Sequence, residues 1–230
     1  AIRSALEARG DVRSVVLVPE SAHGTNPATA AFCGYAVEDI PATSEGRVDL
    51  EALKARLGPD VAAVMITNPN TCGLFERDMK KIADAVHAAG GKICMQLLHA
   101  GRYAMIRESV APSAIQSPIT RFQPRELSDA EVDKQIDDYA RAAELARRAG
   151  YDGVELMGSE GYLINQFLAQ RTNQRNDRWG GSYENRMRFP LEVIRRVRER
   201  VGSDFIVIYR LSMLDLVEGG SNWEEIVTLA

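Results

Sequence analysis

Short apolar runs bounded by glycine and proline alternate along this chain with segments of helical periodicity, and no other feature restricts the fold as much. Residues 15–18, 36–40, 61–67, 93–98, 153–157 and 205–209 have the length and content of buried strands. The connections are too long for hairpins, so successive strands are expected to lie parallel with right-handed crossovers. The expected class is α/β with mainly parallel β-α repeats, in a sheet of about six strands if the two halves join. Ligands in such sheets sit beyond the carboxyl ends of the strands. After residues 153–157 that position holds Glu160, Tyr162 and Asn165, which become the first candidates for chemistry.

The helical segments carry their own punctuation. Pro27 suits the first turn of a helix over 28–32, and Asp49 caps one bearing Leu50, Leu53 and Leu57. Met79, Ile82, Ala83 and Val86 recur at helical spacing up to Gly90. Ser128 and Glu131 form a capping box opening a helix with Ile136, Tyr139, Ala140, Ala143 and Ala146 on one face. Ser182 is expected to cap the next helix, which turns Leu191, Ile194, Val197 and Val201 inward, with Pro190 starting or kinking it. Residues 103–127 show no sustained periodicity and read as a long loop, either a functional cover or partly disordered.

Composition excludes more than it selects. With 45% hydrophobic and 26% charged residues and a net charge of -4, the chain has no basic footprint for nucleic acid. No apolar run is long enough for a membrane helix, and the first residues lack the apolar core of a signal peptide, so a cytoplasmic protein is expected. Cys33, Cys72 and Cys94 suggest neither a disulfide framework nor a metal site, and are expected to be buried or semi-buried thiols.

The motif GYLINQFL followed by TNQRNDRWGGSYENRMRF, spanning residues 161–168 and 172–189, resembles the old yellow enzyme family of NADH:flavin oxidoreductases. Its form is most similar to the bacterial 2,4-dienoyl-CoA reductases, and the resemblance runs from about residue 87 to 230. It implies a partial TIM barrel over 92–230, an FMN cofactor, NAD(P)H as electron donor and an unsaturated acyl-CoA as substrate. By resemblance, Gln96 of QLLHAGR hydrogen-bonds the flavin pyrimidine edge and Arg210 of YRLS lies by its N1 and O2 region. Tyr162 is the implied general acid. A tyrosine near its ordinary pKa of about 10 needs a partner for that role, and the family's partner is a later histidine beyond this chain's end. Where many members offer two carbonyl-holding side chains, this chain has Met157 and Glu160. Glu160 is a candidate substrate contact, or a carboxylate that fixes the loop. His99 and Arg102 are read as shaping the loop after their strand, and Asn165, Gln166, Asn173, Arg175, Asp177 and 184–186 as a structural network.

The first 91 residues resemble a different family. PESAHGTNPATAAFCGY, GRVDLEAL and ITNPNTCGLFE are similar to subunit 2 of the pyridoxal-phosphate-dependent glycine decarboxylase of the glycine cleavage system. This implies strands from a PLP fold-type-I sheet over 1–91 and places His23 against the cofactor ring. Nothing after Gly91 resembles the lysine-bearing segment of that family, so a Schiff-base link to PLP is not expected. The two resemblances meet in AVHAAGG, residues 85–91, as in a chimera. Exposed sheet edges on an incomplete barrel would favour self-association.

Overall fold

The computed structural model describes residues 2–230, which divide into two compact units, the first ending at Lys92 and the second running from Ile93 to Ala230. In the first unit, α1 (Ile2–Ala8), β1 (Val15–Pro19), α2 (Thr25–Phe32), β2 (Ala36–Ile40), α3 (Leu50–Arg56), β3 (Val61–Val64) and α4 (Met79–Ala88) follow one another. The three strands form a parallel sheet in the order β2-β1-β3. Alternation of side chains along β1 gives it two buried faces. Val15 and Leu17 pack with Leu53 and Ile82, and Val16 and Val18 with Ala30. Asp49 caps α3 by accepting from the backbone N–H of Glu51 and Ala52, as its position suggests. These strands are a parallel α/β sheet; they do not by themselves show a PLP fold-type-I sheet.

The second unit contains β4 (Cys94–Leu97), a single 3-10 turn (Gly101–Tyr103), β5 (Val110–Ala111), β6 (Arg125–Glu126), α5 (Asp129–Arg148), β7 (Gly153–Gly158), α6 (Leu163–Leu168), α7 (Tyr183–Val201), β8 (Ile206–Leu211) and α8 (Trp223–Leu229). Its main sheet is parallel in the order β4-β7-β8, with Gln96 opposite Glu155 and Arg210 opposite Met157. On one face Val154 and Leu156 are buried against α5 and α7. Phe189 of α7 stacks on Phe167 at 4.0 Å and meets Trp179 and Tyr139 edge-on. On the other face Cys94 and Gln96 of the first strand, and Ile206, Ile208 and Arg210 of the last, are exposed.

Several expectations need correction. The strands form two separate three-stranded parallel sheets and not one sheet of about six. All three cysteines are exposed, because each lies on an uncovered surface. Leu191 is 44% exposed, whereas Val197 and Val201 are buried and Ile194 packs partly buried against the core as expected, and Val193 joins them in the inward stripe of α7. Its phase follows the packing of α7 on α5. Helix α7 starts at Tyr183, behind the Ser182 cap, and continues through Pro190. The segment read as a long loop contains the short parallel β5–β6 pair, whose two-residue strands are too short for any periodicity to register.

Candidate functional site

Four of the five residues singled out by resemblance lie at or just beyond the carboxyl ends of β4, β7 and β8, and two of them, Glu160 and Arg210, touch. Gln96 sits on the exposed face of β4, where its Nε2 donates to Glu155 Oε1 on β7 at 2.6 Å. Arg210, on the same face of β8, forms an ion pair with Glu160 across the strand ends at 2.6 Å. Glu160 is the one non-glycine residue with positive φ among the described residues, at 62°. That left-handed backbone is sparsely populated for a side chain of this kind. The Glu160 N–H reaches the Ser212 hydroxyl at 3.3 Å, which ties the turn after β7 to the end of β8.

Two glycines make the turn possible. Gly161 continues the left-handed course at φ 77°, and a Cβ there would lie 2.4 Å from the Tyr103 hydroxyl. Gly158 lets the ring of Tyr209 approach so closely that a Cβ would meet it at 2.4 Å. The Gly161 N–H donates to Asn165 Oδ1 at 2.7 Å. Gln166 then bridges two loops: its Nε2 donates to the carbonyls of Gly161 and Ala100, and its Oε1 accepts from the Arg102 N–H. Buried amides saturated in this way fix loop geometry.

Tyr162 occupies the N-cap of α6, half-buried, with its ring edge-on to Tyr103 at 5.9 Å. Its hydroxyl has no hydrogen-bond partner among the described residues. His99, at the end of β4, accepts the Gly101 N–H at Nδ1, and burial lowers its pKa. Burial pushes the Tyr209 hydroxyl well above the usual phenol range. His23, the fifth residue, lies in the first unit. It is exposed, with Nδ1 2.8 Å from the Thr25 hydroxyl and its N–H donating to the Thr67 hydroxyl.

Sequence reasoning missed Glu155, Tyr103 and Ser212. Glu155 alone left a signal, as a carboxylate in the middle of the apolar run GVELM. The structural network read from 173–186 is present: Asn173 ties the carbonyls of Phe167 and Trp179, and Arg175 binds Asp177 and the carbonyls of Pro112 and Leu127. Two surface depressions, of ≈ 360 and ≈ 220 Å³, lie against helices and involve none of the candidate residues. Among the described residues no cluster of His, Cys, Asp or Glu could hold a metal, and no helix is long and apolar enough to cross a membrane.

Comparison with known proteins extends this picture. An NADH oxidase of Thermoanaerobacter brockii is 48% identical over 158 residues, covering 66% of this chain and 24% of the relative. The chain therefore spans about a quarter of that relative's length. A probable glycine dehydrogenase (decarboxylating) subunit 2 of Caulobacter vibrioides is 64% identical over 91 residues, 39% of this chain and 17% of that protein. Among solved structures, a complex of 2-naphthoyl-CoA reductase with 2-naphthoyl-CoA superposes with a TM-score of 0.62 at 36% identity, covering 73% of this chain and 27% of that one. The second unit is accordingly an incompletely closed, barrel-like α/β sheet. The family described as NADH:flavin oxidoreductase / NADH oxidase matches residues 76–230, and the chain belongs to that family.

Proposed function

We propose that the open face of β4-β7-β8 is the flavin side of an FMN-dependent NAD(P)H oxidoreductase site resembling that of 2,4-dienoyl-CoA reductases, acting on an unsaturated acyl thioester. The observation that carries this reading is the placement of an amide, Gln96, and a guanidinium, Arg210, on one uncovered face at the strand ends. They suit the polar edge of a flavin, with Arg210 favouring negative charge on it. A bound flavin would supply hydride transfer. Tyr162 is assigned the proton donation to the substrate carbon, and its unpartnered hydroxyl beside Tyr103 fits a group kept available for that transfer. Glu160 reaches substrate only when its pair with Arg210 opens.

The same geometry argues for little turnover by this chain alone. Gln96 and Arg210 are each engaged by a carboxylate, and an open face leaves water in contact with the reacting groups, against the exclusion such chemistry relies on. Titration with FMN, followed by flavin fluorescence, is expected to give weak saturable binding that falls in Gln96→Ala and Arg210→Ala. Binding unaffected by both changes would refute the assignment. Efficient reduction of a dienoyl thioester by the chain alone would refute its inactivity.

A second reading is a non-catalytic chimeric α/β protein, with a glycine-decarboxylase-like segment over 1–91 and a partial flavin-reductase segment over 92–230. It is favoured by the 91-residue likeness to glycine dehydrogenase subunit 2 and by the family match starting at residue 76. In that reading His23 is the remnant of a PLP pocket, and a PLP-dependent decarboxylase fragment lacking its Schiff-base lysine would show no aldimine absorbance. Colourless protein that unfolds cooperatively and ignores FMN would support the chimera over the reductase.

A further inference from the structure

Three arginines in the second unit are buried, and they differ sharply in company. Arg175, 8% exposed, is saturated by Asp177, Glu126 and two carbonyls. Arg186, 5% exposed, is held by Glu225 and the carbonyls of Leu168 and Gly181. Arg102, 9% exposed, has a wholly buried Nε without a partner, and its guanidinium makes no hydrogen bond or ion pair among the described residues. Its one contact of note is with the ring of Tyr103, 5.7 Å from the guanidinium carbon. A guanidinium cannot shed its charge at any accessible pH. Its Nε–H is a buried donor left unmet and its charge has no anion beside it, while the two Nη groups are not enclosed and stay open to an incoming anion.

A second orphan lies on the adjoining segment. The turn that carries Arg102 packs against β5, and Ser109, the residue before β5, is buried with a hydroxyl that has no partner. The Arg102 carbonyl accepts from Thr120, so the backbone here is pinned while the charged end is not. The turn stands at the carboxyl end of β4, the end of a parallel sheet where ligands bind. We infer that Arg102 and Ser109 are donors of an oxyanion site, taking the phosphate or carboxylate group of a small ligand that supplies the missing negative charge. Planar guanidinium donors match both groups. This inference is independent of the flavin assignment, which uses the open sheet face.

The test is thermal unfolding of wild type, Arg102→Met and Arg102→Lys in chloride, phosphate and acetate buffers of equal ionic strength. Arg102→Met is expected to melt at or above wild type in chloride, because it removes a buried donor that has no acceptor. Wild type is expected to gain stability in phosphate or acetate, Arg102→Lys less, and Arg102→Met not at all; the more effective anion identifies the ligand group. Should Arg102→Met melt below wild type or fail to fold, the guanidinium is already satisfied and the proposal falls. An equal response of wild type and Arg102→Met would indicate an adventitious ion only, and also overturns it. Nitrogen-15 spectra of the wild-type Arg102 Nε–H give an independent readout: a saturable shift on adding phosphate or acetate supports the site, and no shift with either contradicts it.

Discussion

The two faces of the β4-β7-β8 sheet are made by the same strands and have opposite characters. One face buries Val154 and Leu156 under α5 and α7, around an aromatic cluster centred on Phe189. The other exposes Gln96, Ile206, Ile208 and Arg210. Because side chains alternate along a strand, a single sequence serves both, and the division assigns stability to the first face and leaves the second for the proposed ligand chemistry.

That division is open to direct attack. Phe189→Ala should destabilise the protein by about 3–5 kcal/mol in denaturant unfolding, whereas Ile208→Ala on the open face should change it by less than about 0.5 kcal/mol. Comparable losses would erase the distinction. Acid should act next through carboxylates at the rim of the covered face. Glu131 is held at about 2 by the Arg125 guanidinium first and then by the Ser128 backbone and hydroxyl, and Asp177 is lowered by Arg175. Both release their protons more readily folded than unfolded. Their contribution is therefore complete above the ordinary carboxylate pKa of about 4 and is lost as pH falls toward about 2. Melting temperature against pH should drop over that window, and Arg125→Met should flatten the drop.

Smaller changes sharpen the contrast. Ser128→Ala removes half of a capping box and should cost about 1 kcal/mol by chemical denaturation. Glu160→Gly relieves a left-handed backbone but loses the half-exposed pair with Arg210. Those effects oppose each other, so stability should move by only about 0.5 kcal/mol or less, while FMN affinity rises as Arg210 is freed. A large loss of stability in this variant would make Glu160 a structural residue.

Much of the covered face was legible in the sequence because burial leaves a period. The stripe Ile136, Tyr139, Ala140, Ala143 and Ala146 on α5 and the Ser128–Glu131 box are where spacing puts them. Leu191 misled, since a helix with apolar residues at neighbouring positions leaves its phase to the packing partner. The open face left little trace: Gln96, Arg210 and Glu160 emerged from motif resemblance, while Glu155 and the pairing of Glu160 with Arg210 emerged only from strand register and the turn after β7. Arg102 looked like a loop-shaping residue, because nothing in a sequence records which buried cation lacks an anion.

Cys94 offers the most direct test of the account. It lies on the open face of β4 two residues before Gln96, where partial desolvation first and then the Asp152 and Glu155 carboxylates raise its thiol pKa; Cys33 and Cys72, in the first unit, are likewise exposed. Alkylation rates of the three thiols, mapped by mass spectrometry with and without FMN, should show Cys94 protected and the other two unchanged. If saturating FMN leaves Cys94 as reactive as before, or slows all three alike, the open face is not where the flavin binds.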